Sequence, residues 1–354
     1  MSFTYPLTWC RYKRHPHKNA ANHAHSQRRK TAHINTMAYP LSDHFDGTHF
    51  FNPEPTTHGG RRNTGLAFLR ERFRPGAWAR WPRHVANRHH APAPDAPSLT
   101  FIGHSTFLIR LPGLTILTDP VFSARCSPSR LVGPKRVRAP GVALASLPHI
   151  DLILVSHNHY DHMDLAALRA LRRRFPHADI VTTLGNAAYL ARKGLAGAHE
   201  LDWWGSTTLH NAHITVTPAR HFSARGLHDR NLTLWGGFYL TYNGISLYFA
   251  GDTGATRAFA QIRERLGAPD LALLPIGAYE PRWFMGPVHM NPADAVQAFT
   301  DLGAKRAIGM HFGTFQLTAE GIDAPLHDLA AARTQAGIAP HAFSALEVGE
   351  STAL

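Results

Sequence analysis

The chain has 354 residues, 44% of them apolar and 17% charged, with a net charge of +13 and 26 histidines. This composition supports a sizeable buried core and excludes global disorder. The two cysteines, Cys10 and Cys126, are too few for a disulfide framework, and no apolar run reaches the roughly 18–20 residues of a membrane-spanning helix.

The charge is concentrated at one end. Residues 1–36 hold seven Lys/Arg and no acid, and residues 60–94 hold eight Arg against one Glu, whereas residues 95–354 are close to neutral. This distribution argues against a nucleic-acid groove across the whole protein and allows a basic region that meets anionic lipid. Residues 1–36 have no apolar periodicity and are expected to form a disordered basic tail without an export signal. Met37 is a candidate native start. Residues 37–97 read as an irregular arm and a Pro-rich linker. Within it Gly65 to Phe73 predicts a short helix, which Arg74-Pro75-Gly76 breaks. Trp78 and Trp81 follow among Arg80, Arg83 and Arg88, and Pro92, Pro94 and Pro97 close the segment. Trp among Arg suits a membrane interface, with packing on its own domain the alternative.

From residue 98 onward the pattern becomes that of a folded domain, 98–354. Strand-like runs are expected at Leu99–Leu111, Leu114–Thr118, Ile150–Ser156, Asp179–Thr183, His213–Thr217, Trp235–Tyr242, Ile245–Ala250, Leu271–Ile276 and Arg306–Met310. Pro112-Gly113 and Asn243-Gly244 are hairpin signals. Helices are expected at Leu165–Phe175, Asn186–Lys193, Thr256–Leu266, Pro292–Leu302 and Pro325–Ala336, with Asn291-Pro292 a helix start. Hairpins followed by β–α alternation imply a mixed, layered α/β domain.

One run carries the chemistry. Residues 150–164 read IDLILVSHNHYDHMD, an apolar strand followed at once by His157, His159, Asp161 and His162. Buried imidazoles and carboxylates need partners, so four of them at the end of a strand point to a metal rather than to a surface histidine cluster. In an extended segment His157 and His159 project to one side, and Asp161 and His162 fall where the chain turns into a helix. His221, Asp252 and His311 also follow apolar strands, the ends at which layered α/β folds gather their sites.

The pattern His157-x-His159-x-Asp161-His162, with His221, Asp252 and His311, resembles the metallo-β-lactamase fold of zinc hydrolases. The phrases FIGHSTFLI, GPKR, GLHDRN, FAGDTG, GAYEPRWFM and MHFGTF are similar to the branch of N-acyl-phosphatidylethanolamine-hydrolysing phospholipases D, over roughly residues 98–318. The resemblance implies a four-layer αβ/βα fold, two packed mixed β-sheets flanked by helices. It implies two zinc ions: His157, His159 and His221 on one, Asp161, His162 and His311 on the other, and Asp252 bridging. Imidazole with carboxylate and no thiolate suits zinc on independent grounds. The implied reaction is attack of a metal-bound hydroxide on phosphorus, with Asp161, Asp252 and His289 as catalytic groups. Tyr160, Val288 and His289 are the implied substrate contacts. The family has Gln where this chain has Val288, so a change in head-group discrimination is expected.

The expected partner is therefore a phospholipid or other phosphodiester, met by a cytoplasmic protein with peripheral membrane contact through the N-terminal arm. No specific nucleic acid is expected, and a homodimer is allowed. The competing readings are a lactonase or sugar-phosphate hydrolase on the same metals, and a lipid- or nucleic-acid-binding protein with a vestigial site. Further residues stay open. His104 either bonds the backbone or lines the site, Asp119 either holds a ligating histidine or caps the turn at Pro120, and Tyr160 either meets phosphate or packs. Lys135, Arg136 and Arg138 read as a solvated charge run, with substrate contact the alternative that the GPKR phrase offers, Trp203-Trp204 as core, and Cys126 as inert. Ser105 and Ser156 lack the G-x-S-x-G context of a nucleophile.

Overall fold

A computed structural model describes residues 39–54, 64–89 and 97–354. The tail expected over residues 1–36, and Pro92 and Pro94 of the linker, lie outside the described residues. The first sheet is built from β1 (Ser98–Gly103), β2 (Thr106–Leu111), β3 (Leu114–Thr118), β4 (Leu152–Val155), β5 (Asp179–Thr183), β6 (His199–Leu201) and β14 (Ser351–Ala353). The second is built from β7 (Ser206–Leu209), β8 (Ala212–Thr217), β9 (Gly237–Tyr242), β10 (Ile245–Phe249), β11 (Leu271–Pro275), β12 (Arg306–Met310) and β13 (Phe343–Ala345). Their orders are β14-β1-β2-β3-β4-β5-β6 and β13-β12-β11-β10-β9-β8-β7. Each sheet pairs hairpin strands antiparallel and crossover strands in parallel. The mixed, two-sheet α/β architecture expected from the sequence is the one observed.

Strand alternation divides the first sheet between two cores. Phe107 and Ile109 of β2, Ile116 of β3 and Leu152 and Leu154 of β4 face the second sheet, against Phe238, Leu240, Leu247 and Phe249. The intervening Leu108, Leu117, Ile153 and Val155 face outward. There they meet Leu168 and Leu171 of α2 (Leu165–Arg174) and Leu190 of α3 (Asn186–Arg192). A strand buried on both faces reads as a continuous apolar run, which is why LILV in β4 shows no polar positions. The outer face of the second sheet is covered by α4 (Ala258–Leu266), α6 (Pro292–Leu302) and α7 (Ala324–Ala336), through Phe259, Ile262, Val296, Leu302 and Leu329. Two short helices complete the set, α1 (Thr64–Arg72) in the arm and α5 (Arg282–Met285) after β11.

Local signals explain the element ends. Asp164 caps α2 by accepting from Ala166 N and Ala167 N. Asn291 and Asp294 form a reciprocal capping box on α6, with Pro292 in its first turn. Asn243 and Gly244 both have positive φ, 48° and 80°, the geometry of a two-residue hairpin between β9 and β10. The run Leu99–Leu111 is two strands rather than one: it turns at His104-Ser105, where His104 has φ 59°.

The arm packs on the body. Phe45 and Phe50 are buried, and His44 stacks on Trp203 with ring centroids 4.4 Å apart. Trp81 donates its indole N–H to the Glu320 carbonyl at 2.9 Å, and Trp78 lies 4.0 Å beneath the Arg72 guanidinium. Both tryptophans are thus half-buried against their own chain, and among the described residues the exposed Phe and Trp side chains are Phe51, Phe73 and Trp283. Phe68 of α1 stacks on Phe284 of α5 at 4.3 Å, which ties the arm to the segment leading to His289. No helix among the described residues is long and apolar enough to cross a membrane.

Candidate metal centre

All seven residues expected as ligands meet at one edge of the two sheets, on the segments that leave the strands. His157, His159, Asp161 and His162 follow β4, His221 follows β8, Asp252 follows β10 and His311 follows β12. Close packing of the strand ends makes this possible. At Gly251, with φ 60°, an added Cβ would fall 2.8 Å from the Ser156 side chain, so no larger residue fits before Asp252. Five of the seven residues are buried, and His159 and Asp161 are half-buried.

The donor atoms converge in two groups. In the first, His159 Nδ1 lies 2.9 Å from His157 Nε2 and 3.2 Å from His221 Nε2. In the second, Asp161 Oδ2 lies 3.5 Å from His162 Nε2 and 3.3 Å from His311 Nε2. Asp252 Oδ2 stands between them, 3.1 Å from both His162 Nε2 and His311 Nε2, 3.8 Å from His221 Nε2 and 4.0 Å from His157 Nε2. His162 Nε2, His311 Nε2 and Asp252 Oδ1 are buried and have no hydrogen-bond partner among the described residues. Orphaned polar atoms are costly in a folded interior, and the two imidazole nitrogens both lie 3.1 Å from Asp252 Oδ2, as ligands of a shared cation do. The residues therefore fit a metal.

The electrostatics agree. Burial first, and then neighbouring imidazoles, push His157 and His221 well below the usual histidine range, and burial brings His159 down to about 4. These three are neutral rings with lone pairs available. The other group behaves oppositely. Burial lowers His162 and His311, but Asp252 and Asp161 override it and lift His162 well above its ordinary value and His311 to about 9. The carboxylates of Asp161 and Asp252, held well below their usual range by those histidines against the effect of burial, call for positive charge.

A second layer holds the ligands in place. Asp119 accepts from His162 Nδ1 at 2.6 Å, from Ser156 Oγ at 2.6 Å and from Ser156 N at 2.7 Å. Of the two roles open for Asp119, the structure shows contact with a site histidine. His104 lies with Nε2 3.0 Å from Asp161 Oδ2, so it belongs to the site rather than to the backbone alone. The His221 ring bonds through Nδ1 to the Val288 carbonyl at 3.0 Å. Its backbone is gripped from the arm, since Asn52 donates to His221 O at 2.8 Å and accepts from His221 N at 3.1 Å. Asn52 was not legible in the sequence, because it lies far from every motif.

The residues expected to touch substrate are placed differently from one another. His289 lies beside the cluster, its Nδ1 4.0 Å from Asp252 Oδ2. Tyr160 is half-buried, and its hydroxyl donates to the Arg225 carbonyl at 3.0 Å. The Val288 side chain is buried, at 1% exposure, and its carbonyl is the part that reaches the site. Arg136, expected in a solvated run, is half-buried and donates to the carbonyls of Val121 and Ser123 at 2.7 and 3.1 Å.

Comparison with known proteins places this geometry. Residues 115–312 match the family model described as a beta-lactamase superfamily domain. An uncharacterized protein of Mycobacterium tuberculosis is 41% identical over 279 residues, 74% of this chain and 74% of its own length. The N-acyl-phosphatidylethanolamine-hydrolyzing phospholipase D 1 of Caenorhabditis elegans is 39% identical over 228 residues, 62% of this chain and 64% of its own, slightly less than two thirds of that relative. Among solved structures, the metallo hydrolase Igni18 of the archaeon Ignicoccus hospitalis is 26% identical with a TM-score of 0.54, covering 72% of this chain and 97% of that one.

Proposed function

The chain belongs to the β-lactamase superfamily of metal-dependent hydrolases, and from that premise we propose that it is a phosphodiesterase of the phospholipase D type. Its proposed substrate is N-acyl-phosphatidylethanolamine, released as N-acylethanolamine and phosphatidic acid. The observation that carries the reading is Asp252 Oδ2, within 4.0 Å of ring nitrogens from both donor groups. Such a carboxylate suits a pair of ions sharing one ligand. The identity to the Caenorhabditis elegans phospholipase D supports the substrate class.

His157, His159 and His221 would hold one zinc, Asp161, His162 and His311 the other, with Asp252 shared. A zinc pair supplies Lewis-acid polarisation of the phosphoryl oxygens and a water made acidic enough to deprotonate near neutral pH. The chain's own groups do the rest. Asp119 and His104 keep His162 and Asp161 in orientation. Water adds to phosphorus, the bond from phosphorus to the ethanolamine oxygen breaks, and a proton must reach that oxygen. His289 is the imidazole placed to deliver it, with its ring 5.0 Å from His221 and 5.4 Å from His311.

The lipid surface would be met by the α1–α5 ridge. Phe73, 79% exposed, and Trp283, 48% exposed, stand there with Arg70, Arg72 and Arg74. Apolar tips flanked by cations suit an anionic interface. The test is elemental analysis of the purified chain with a substrate panel: N-acyl-phosphatidylethanolamine, plain phosphatidylethanolamine, a generic phosphodiester and a lactone. Two zinc per chain and preferred turnover of the N-acylated lipid are expected. Lactone turnover without phosphodiester cleavage overturns the reading.

A further inference from the structure

The segment that carries four of the ligands has no regular structure of its own. Residues 156–164 run from the end of β4 to the cap of α2, and the loop's internal backbone bonds are confined to its last turn, from His162 N and Met163 N to His159 O. Something else must hold its carbonyls. Arg225 does so: its Nη1 donates to Asn158 O at 2.6 Å and Met163 O at 2.9 Å, and reaches His159 O at 3.4 Å. The guanidinium carbon lies 3.9 Å over the Tyr160 ring, and the Tyr160 hydroxyl donates back to the Arg225 carbonyl at 3.0 Å. Arg225 is itself fixed, because the Asp229 carboxylate accepts from Arg225 N at 3.0 and 3.1 Å and from Gly226 N at 2.7 Å.

We propose that Arg225 is a positioning residue for the metal centre, clamping the 157–163 loop through three carbonyls and the Tyr160 face so that the donor atoms stay converged. It touches neither substrate nor metal and acts through the loop. The planar group matters because the guanidinium lies on the Tyr160 ring while Nη1 donates to the carbonyls, whereas an ammonium is a point charge on a flexible stem. Asn158 and Tyr160, which alternate with the ligands along the loop, are thereby held by one side chain. The proposal rests on the metal-hydrolase reading but not on the identity of the substrate.

The test uses the full chain and zinc. The zinc dissociation constant is measured against a competing chelator for wild type, Arg225→Ala, Arg225→Lys and Tyr160→Phe, alongside the melting temperature of each chelator-stripped protein. Arg225→Ala is expected to weaken zinc binding about 10–100-fold, the range typical of groups that orient ligands from outside the coordination shell. Arg225→Lys is expected to fall between, Tyr160→Phe to show a smaller loss, and the stripped proteins to melt near wild type. Unchanged zinc affinity in Arg225→Ala overturns the proposal, as does a stripped Arg225→Ala that melts far below the stripped wild type. If Arg225→Ala does not fold, Arg225→Lys decides by the same two measurements. Zinc bound equally by wild type and variants removes the clamp alone, whereas a wild-type chain that takes up no zinc removes the metal reading beneath it too.

Discussion

Asp119 offers the sharpest test of how the centre is held. The carboxylate is fully buried and takes three short bonds, from His162 Nδ1, Ser156 Oγ and Ser156 N, all at 2.6–2.7 Å. Burial pushes the carboxyl above its usual range, and the donors on His162 and Ser156 work against that shift. In Asp119→Asn the volume is kept, but one acceptor becomes a donor facing other donors. A hydrogen bond to a charged group contributes about 1.5–3 kcal/mol, and 1.4 kcal/mol is a factor of about ten. Loss of the His162 bond alone therefore predicts zinc affinity lower by roughly 10- to 100-fold, because the ring is free to turn away from Asp252. The stripped protein should also lose stability, since Ser156 N and Oγ are left facing an amide. The assay is chelator competition with zinc, read beside turnover of a soluble phosphodiester at saturating zinc. Wild-type affinity and turnover in Asp119→Asn would refute the reasoning and place the orientation of His162 elsewhere.

Other expectations follow from the same contacts. Asp252→Ala should abolish turnover and reduce bound zinc while the fold persists, checked by elemental analysis and circular dichroism; full zinc occupancy would show that Asp252 is not shared. Val288→Gln places an amide where the residue is 1% exposed, so stability should fall by the about 1–3 kcal/mol that an unpaired buried polar group costs, read as a lower melting temperature; an unchanged melting temperature with an altered substrate ratio would instead support head-group reading at this position. His44 is raised above its ordinary 6.5: burial lowers it, and bonds to Asp202 and Asp43 outweigh that. Its contribution is therefore full below pH 6.5 and is lost as pH rises through the folded value, so the gap in melting temperature between wild type and His44→Gln should shrink on going from pH 6 to pH 9. Phe73→Ser with Trp283→Ser should weaken binding to anionic liposomes and leave soluble-diester turnover intact; unchanged liposome binding removes the ridge as the lipid contact.

Much of the fold is legible in the sequence because its strands are buried on both faces. Asp179–Thr183 and Arg306–Met310 are strands with the expected limits, and Pro292–Leu302 is the expected helix. The strands the pattern does not show are β6, β7, β13 and β14, three or four residues each, at or next to sheet edges. STTL and HEL carry no alternation strong enough to read, since their strand character comes from a neighbour's unpaired backbone rather than from their own side chains. The helix expected from Thr256 starts at Ala258, because Thr256 Oγ1 and Arg257 N are bonded to Glu54 of the arm.

The same distinction governs the site. His157, His159, Asp161 and His162 are visible because one strand end supplies them all, and His221, Asp252 and His311 because each breaks an apolar run with a group that would be costly if unused. What orients them is drawn from places with no such mark. Asn52 lies in the arm, 169 positions from the His221 backbone it grips. Arg225 stands beside the phrase GLHDRN with nothing in the sequence to mark its partner, yet it reaches three carbonyls of the ligand loop. Val288 reads as a lost polar contact if only its side chain is considered, but its carbonyl holds the His221 ring, and a carbonyl is the same in every residue. A donor set is written in side-chain chemistry, which a sequence states directly. Its orientation is written largely in main-chain groups and in long-range arginine and asparagine contacts, which only the folded chain displays.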